Sequence, residues 1–195
     1  MAIDIATIKK LKELSGIGLT DAKAALVEAD GDFDKALEAL RKKGLTKAEK
    51  RGDRETREGL VESYIHDGRI GAIVELNCET SFVAKTDEFK TLAHNIAMQV
   101  ASMDPLYVSV DDIPADVKEA KMKELEDNFK GPEKMKEQIL EGQFKKAFSD
   151  KCLMDQAYIL DDTKTVADYI KDNIARTGEN INIRQFKRIE LGVTE

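Results

Sequence analysis

The chain carries few residues of the kinds that enzymes use as nucleophiles, bases or metal ligands. Its 195 residues include two histidines and two cysteines. His66 and His94 fall in no H-E-x-x-H spacing, and Cys78 and Cys152 form no C-x-x-C pair. A catalytic Cys–His pair formed by residues distant in sequence is an alternative that the spacing does not exclude. The sequence also contains no glycine-rich phosphate-binding loop. The sequence therefore predicts a protein that is not an enzyme, with no catalytic residue, no metal site and no cofactor.

The segment Cys78–Lys85 (CETSFVAK) places one large aromatic side chain among small and polar residues. The apolar alternation of the preceding strand ends at Leu76, and the apolar face of the next helix begins at Phe89. Phe82 falls between them, in a short connection of the kind that often displays binding residues. A buried Phe82 is the competing interpretation, because most phenylalanines belong to a core. If it is exposed, Phe82 is a candidate anchor for a partner's pocket.

The charge of the chain is unevenly distributed. The net charge is −7, but residues 1–52 carry 11 Lys/Arg against 9 Asp/Glu, which leaves 20 against 29 for the remainder. An acidic body disfavours binding that depends on neutralising nucleic-acid phosphates, so no direct nucleic-acid partner is predicted. No apolar run approaches the ~18 residues that span a bilayer, and the amino terminus does not resemble a secretory signal. No membrane partner is therefore expected. With only two cysteines, a reducing, cytoplasmic compartment is expected.

The first 44 residues predict three short helices, because apolar residues recur every three or four positions in three runs. Thr20 or Asp21 is expected to cap the second helix. Residues 30–32 form a turn before the third helix, which is expected to end at Gly44. The arrangement is similar to a ubiquitin-associated (UBA)-like bundle, in which residues 16–18 would form a partner-binding loop; a folding module without a partner is the alternative. The predicted inward residues are Ile5, Ile8, Leu11, Leu14, Ala22, Ala25, Leu26, Ala29, Phe33, Ala36, Leu37 and Leu40.

Residues 41–58 are almost wholly charged and lack an apolar stripe. This pattern indicates a solvated linker or an exposed helix. Its basic part could touch RNA, although a solvated face is the commoner explanation. We therefore expect two domains: residues 1–52 as a UBA-like three-helix domain with its basic linker, and residues 53–195 as an α+β core.

From Gly59 onward the apolar period changes to two, the repeat of a β-strand. Two predicted strands flank the turn signal Asp67-Gly68, and a third is expected near residues 181–188. The residues expected to share one face are Ile70, Ala72, Val74 and Leu76 in the second strand and Ile181, Ile183 and Gln185 in the third. The core is therefore predicted to be α+β, with a small antiparallel three-stranded sheet packed by helices. The predicted helices, of which the middle two form a helical hairpin, are 86–103, 114–130, 132–148 and 164–176. The predicted apolar faces of the first and last of them are Phe89, Leu92, Ala93, Ile96, Ala97 and Val100, and Val166, Ile170 and Ile174.

Three blocks of the sequence together resemble the elongation factor Ts family, the guanine nucleotide exchange factors of the translational GTPase elongation factor Tu. They are residues 10–44, 70–89 and 177–192, in the family's order. The second block carries the family's most specific motif, usually NCETDFVA and here NCETSFVA. The chain is similar to the short form of the family, and the resemblance implies a homodimer.

The resemblance also implies how the motif acts. Thr80, Ser81, Phe82 and Val83 would enter elongation factor Tu near its nucleotide and displace Mg²⁺, so that GDP leaves and GTP rebinds. Ser81 stands where the family has Asp, so one carboxylate of the motif is missing.

A second set of contacts is implied for the amino-terminal helices. Leu19, Thr20 and Lys23 fall where the family's head domain touches the GTPase, with Leu19-Thr20 in place of the common Met-Met pair. The alternative function is a non-catalytic UBA-like interaction scaffold without exchange activity.

Overall fold

The computed structural model describes residues 4–15, 18–132 and 135–193, with the backbone alone for residues 41 and 45–49. Its architecture is mixed helix and sheet, which confirms the predicted α+β class. Short 3₁₀ helices lie at Val110–Asp112 and Leu153–Asp155. The other elements in chain order are α1 (Ile5–Ser15), α2 (Leu19–Glu28), α3 (Phe33–Glu49), β1 (Glu58–His66), β2 (Ile70–Cys78), α4 (Ser81–Ala84), α5 (Asp87–Met103), α6 (Ala115–Asp127), α7 (Lys136–Phe148), β3 (Ala157–Tyr158), β4 (Asp161–Thr165), α8 (Val166–Thr177) and β5 (Ile181–Glu190).

The chain divides into two compact units. The boundaries between them fall within β1, β2, α5, α8 and β5, so both units contain residues of each of these elements. The first unit comprises Met1–Leu60, Leu76–Leu92 and Asp168–Asn182, and the second comprises Val61–Glu75, Ala93–Ala167 and Ile183–Glu195.

The helices α1, α2 and α3 contact one another pairwise and enclose a small core of their own. This confirms the three predicted helices. The ends of the predicted stripe on α1 are wrong, because Ile5 and Leu14 are exposed and only the middle of the helix is covered. The partner-binding loop expected at residues 16–18 lies mostly outside the described residues. The buried members of the cluster are Ile8, Leu11, Ala22, Ala25, Leu26 and Ala36.

Two expected helix ends are wrong. Gly18 is the N-cap of α2 and no side chain caps the helix, so Thr20 and Asp21 lie inside its first turn. The helix α3 passes through Gly44 instead of ending there. A Cβ atom at position 44 would lie 3.1 Å from the Cβ of Ala175 in α8, so this glycine permits close packing of two helices.

The predicted hairpin between β1 and β2 is confirmed. Asp67 and Gly68 both have positive φ angles, 49° and 66°, which is the conformation of a type I′ turn. The amide of Arg69 donates to the carbonyl of His66 at 2.9 Å and closes the turn. The strands form an antiparallel three-stranded sheet in the order β1-β2-β5.

Burial alternates in β2 from Ala72 to Leu76, after which Asn77 and Cys78 are both buried, and the alternation shifts in β5. Of the predicted face of β2, Ala72, Val74 and Leu76 are buried and Ile70 is half-buried. In β5 Ile181 and Ile183, which share one predicted face, are both buried, but Gln185 of the same face is exposed and the half-buried positions that follow have the other parity. The predicted strand is confirmed, and the predicted alternation of its two faces matches the burial only in the first half.

The helices α5 to α8 follow the predicted pattern. Thr86 caps α5 by accepting a hydrogen bond from the amide of Phe89 at 3.2 Å. In α8 the predicted inward residues Val166, Ile170 and Ile174 are buried. The helices α6 and α7 contact each other as the predicted hairpin, and α6 buries no residue fully. All six predicted residues of the α5 face are buried: Phe89, Leu92, Ala93, Ile96, Ala97 and Val100.

A second, two-stranded sheet of β3 and β4 was absent from the sequence prediction. It is tied to α5 by the fully buried amide of Gln99, which donates to Gln156 Oε1 at 3.1 Å and to the carbonyl of Ala157 at 3.0 Å. The Oε1 of Gln99 accepts from the amide of Ile159 at 2.8 Å. Nothing in the sequence predicts β4, because its residues DDTKT show no apolar alternation.

Candidate partner-binding site

Phe82 projects from the single helical turn α4, which connects β2 to α5. Its side chain is 84% exposed, so the prediction that it is displayed outward is confirmed. Ala84, two residues further on, is buried and fixes the turn to the unit that carries it. Ser81 and Val83 are partly buried beside it. Exposure of so much apolar surface to water is unfavourable, and burial against a partner would relieve it.

Hydrogen bonds hold α4 at both ends. Thr80 is its N-cap, and the threonine hydroxyl oxygen lies 3.5 Å from the amide of Val83, at the limit of a hydrogen bond. At the other end the hydroxyl of Thr86 donates to the carbonyl of Val83 at 2.8 Å. The same hydroxyl oxygen caps α5, so Thr86 joins the end of one helix to the start of the next. These local contacts restrict the direction in which Phe82 points.

Glu179, in the connection between α8 and β5, binds Thr80 with both oxygens of its carboxylate. One oxygen accepts from the amide of Thr80 at 2.9 Å, and the other accepts from the hydroxyl of Thr80 at 2.6 Å. Both distances are in the range of charge-assisted hydrogen bonds.

The neighbouring residues make the reverse contact. The carboxylate of Glu79 accepts from the amide of Asn180 at 2.6 Å and lies 3.4 Å from the guanidinium of Arg54. The side-chain amide of Asn180 in turn donates to the carbonyls of Gly52 at 3.1 Å and Arg54 at 2.7 Å. Two adjacent residues of one connection therefore bind two adjacent residues of the other.

Cys78 is buried directly before this network and is not suited to nucleophilic chemistry. Its thiol donates to the carbonyl of Thr80 at 3.2 Å. Burial, together with the negative charge of Glu179, raises the pKa of Cys78 to about 11. The thiol is therefore protonated at neutral pH, whereas a reactive cysteine needs a lowered pKa.

The two histidines lie together beside one aromatic ring. The hydroxyl of Tyr64 is 3.1 Å from Nδ1 of His66, and the ring of His94 meets the Tyr64 ring edge-on at 5.6 Å. In the described ranges no group of three or more His, Cys, Asp or Glu side chains is placed to hold a metal ion. Nor does any helix of those ranges combine the length and apolarity needed to cross a membrane.

The candidate residues of the head form a separate patch. Leu19, Thr20 and Lys23 lie in the first turn and a half of α2 and are all exposed. Among the described residues no hydrogen bond or ion pair joins this patch to Thr80–Val83. The structure therefore brings together the residues within each predicted set but does not connect the two sets.

Sequence reasoning did not identify the residues that hold α4. Glu179 and Asn180 follow Thr80 by about a hundred positions, and nothing local in the sequence links them. The only available signal is a Glu and an Asn directly after a glycine, a residue type that often ends a helix. In the structure this Gly178 follows α8 and has a φ of +76°.

Comparison with known proteins agrees with the resemblance of the motif. The family model described as Elongation factor TS matches residues 45–193. The Elongation factor Ts of Thermotoga sp. (strain RQ2) is 52% identical over 194 residues, covering 98% of this chain and 98% of the relative. That of Fervidobacterium nodosum is 47% identical over 197 residues, covering 98% and 100%. That of Thermodesulfovibrio yellowstonii is 43% identical over 197 residues, covering 100% and 99%. The chain belongs to the elongation factor Ts family of translation elongation factors.

Proposed function

We propose that this chain is the guanine nucleotide exchange factor of elongation factor Tu. It binds the GDP form of that GTPase, inserts Thr80, Ser81, Phe82 and Val83 near the nucleotide, displaces Mg²⁺ and promotes release of GDP so that GTP can rebind. It forms no covalent bond with its partner and is not an enzyme in the usual sense. The observation that carries the proposal is the exposed ring of Phe82 on a turn held at both ends.

The energetics of exchange explain why such a ring is useful. A GTPase that holds GDP with nanomolar affinity binds it by about 12 kcal/mol. By linkage, an exchange protein that binds the nucleotide-free GTPase more tightly than the GDP form lowers the affinity of the GTPase for GDP by the same ratio. Mg²⁺ requires near-ideal octahedral geometry, so a small displacement of its ligands is costly. Burial of Phe82 in the partner supplies about 1.5–3 kcal/mol, and further contacts supply the rest.

The head supplies a second contact in this proposal. Leu19, Thr20 and Lys23 bind the GTPase domain of elongation factor Tu through the exposed start of α2. The proposal keeps the division into a UBA-like domain (1–52) and an α+β core (53–195), and it places the protein in the cytoplasm with its partner. The exposure of all three head residues supports this role.

The test is release of labelled GDP from elongation factor Tu. Addition of this chain is expected to accelerate release in a concentration-dependent and saturable manner. An interaction scaffold would bind its partner and leave the off-rate of GDP unchanged. That result would favour the alternative function.

Ser81 offers a sharper test within the motif. Replacing Ser81 with Asp restores the carboxylate that the family motif carries, and a hydrogen bond to a charged group is worth about 1.5–3 kcal/mol. We expect Ser81→Asp to lower the half-saturating concentration in the GDP-release assay about tenfold. Ser81→Asn has the same shape without the charge and is the matched control. Equal behaviour of the two variants would show that the carboxylate is dispensable here.

The homodimer is proposed to form through the apolar side chains that the sheet leaves exposed. Val61 and Ile65 of β1 are 68% and 69% exposed, and they alternate with Glu62 and Tyr64, which lie near His94 of α5. Ile73 of β2 is also exposed between buried neighbours. Exposed apolar patches of this kind mark protein interaction sites.

Disruption of this patch should change the mass of the protein in solution. Ile65→Asp is expected to halve the mass measured by equilibrium sedimentation, because a carboxylate would have to be buried against a second copy. Leu160→Asp, at an exposed position of the β3–β4 connection, is the control and should leave the mass unchanged. If the wild-type chain sediments as a monomer, the dimer proposal is wrong.

A further inference from the structure

We infer that Glu179 is a positioning residue for nucleotide exchange, acting on Phe82 through Thr80. The inference rests on the proposed function and adds to it a residue outside the family's motif. Glu179 itself points to Thr80 and not outward, so it does not need to touch the partner. Its role is to keep the turn that carries Phe82 in one conformation before the partner arrives.

The length of α4 makes such support necessary. The helix has four residues, far below the 12 to 15 or so at which an isolated helix becomes even marginally stable in water. Its own N-cap contact, Thr80 to the amide of Val83, is long at 3.5 Å. The shorter hydrogen bonds at its start are the two that Glu179 accepts from Thr80. The start of the turn is therefore fixed mainly from outside, by a residue 99 positions away.

Glu179 is itself held in place. Its amide donates to the hydroxyl oxygen of Thr177 at 3.3 Å, and that hydroxyl donates to the carbonyl of Asn173 at 2.9 Å within α8. Gly178 between them has a φ of +76°, a conformation that glycine adopts without strain. The carboxylate is thus attached to the end of a regular helix, which is a rigid support for a binding group.

The second pair of contacts prevents the two connections from sliding past each other. Glu79 accepts from the amide of Asn180, one residue after Glu179, while Glu179 accepts from the amide of Thr80, one residue after Glu79. A shift of either connection would break both bonds at once. Arg54, in the segment between α3 and β1, also contacts these two connections through its ion pair with Glu79.

The expected consequence is a change in population. Without Glu179 the turn would sample other conformations. The apparent affinity for the partner is then the intrinsic affinity multiplied by the fraction of molecules whose turn is in the binding conformation. The competent conformation is unchanged once bound, so the maximal rate should be preserved. We expect Glu179→Ala to raise the half-saturating concentration for stimulated GDP release about fivefold, as the loss of one to two hydrogen bonds predicts, with the maximal rate within about twofold of wild type.

Two conservative variants separate geometry from charge. Glu179→Gln keeps the reach: its amide oxygen can accept from the Thr80 amide and its NH₂ can donate to the Thr80 hydroxyl oxygen. Glu179→Asp keeps the charge but is one methylene shorter and cannot span both contacts. If Glu179 acts by positioning, Gln restores function better than Asp. The opposite order would show that only the charge matters and would overturn the inference. This pair also carries the test if the alanine variant does not fold.

The decisive measurement is the double variant with Phe82→Ala, made beside a surface control. Because Glu179 acts through Phe82, Glu179→Ala should change the half-saturating concentration less than twofold or so when Phe82 is already absent. A general loss of stability would instead multiply the two effects. Glu141→Ala removes a carboxylate that pairs with Lys145 on the surface of α7, and it should behave as wild type.

The outcomes are distinguishable from failure of the proposed function. If Phe82→Ala releases GDP as fast as wild type, the exchange mechanism itself is wrong. If Phe82→Ala is slow but Glu179→Ala titrates like wild type, or if the two effects multiply in the double variant, Phe82 stands and the positioning role of Glu179 does not.

Discussion

Replacement of Phe82 with alanine is expected to slow stimulated GDP release at least tenfold while leaving the thermal unfolding of the protein nearly unchanged. The side chain is 84% exposed, so its removal costs the fold few contacts. In the complex the ring is buried by the partner, and loss of about 1.5–3 kcal/mol corresponds to a factor of roughly 10 to 150. The combination of lost activity and retained stability is what distinguishes an anchor from a core residue.

The measurement is the rate of labelled GDP release at saturating concentrations of this chain, with melting temperatures determined in parallel. Leu160→Ala removes another exposed apolar side chain and is the control for a general loss of surface area. An unfolded Phe82→Ala protein would mean that the ring supports its own fold. An unchanged rate with a folded protein would remove Phe82 from the mechanism.

Replacement of Gly59 with alanine is expected to have the largest effect on stability, about 3 kcal/mol or more. Gly59 lies near the start of β1 with a φ of +154°, and a Cβ atom there would lie 2.2 Å from the carbonyl oxygen of Leu76 and 2.8 Å from the Cα of Asn77. Both are backbone atoms of β2, so relief requires the two strands to move apart. Costs of this size arise where both the backbone angle and the space exclude a side chain.

Chemical denaturation measures this effect directly, as a lower midpoint with a similar slope. Gly142→Ala is the matched control, because it adds the same methyl group inside α7, where nothing lies within 4 Å. An alanine in a helix interior is expected to stabilise the protein by about 0.5–1 kcal/mol. Equal midpoints for Gly59→Ala and wild type would contradict the geometry of the strand pair.

Long periodic patterns were sufficient to predict α5, α8 and the β1–β2 hairpin. The six apolar residues of α5 and the three of α8 are buried as expected, because a clean helical face has only one way to meet a core. The Asp67-Gly68 turn was equally clear, since few residue pairs adopt two positive φ angles. These signals depend only on residues that are close in sequence, so they can be recognised without the structure.

Tertiary contacts explain most of the predictions that failed. A glycine after an apolar run reads as a helix end, but Gly44 is used for the approach of Ala175, which is 131 positions away. Likewise, β4 is a strand because it pairs with β3, which the amide of Gln99 holds, and its own polar residues show no strand pattern. Neither partner can be identified from the neighbouring sequence.

The candidate site divides in the same way. The exposure of Phe82 could be predicted from the sequence. The apolar alternation of the strand ends before it and the apolar face of the helix begins after it, so Phe82 belongs to neither apolar pattern. The support of the turn was not, because Glu179 reaches Thr80 only once α8 and β2 are both in place. The binding roles of Thr80–Val83 and of Leu19, Thr20 and Lys23 remain proposals that the exchange assay tests.

The burial of both native thiols has a practical consequence for labelling. Cys78 and Cys152 are closed to solvent, and burial is the main reason that the pKa of each is raised to about 11. At neutral pH only about one in 10,000 of either is thiolate, the form that reacts with maleimides. A cysteine introduced at the exposed Lys85 would therefore take up a fluorescent dye selectively, one turn away from Phe82, and the protein's own cysteines would not first have to be removed.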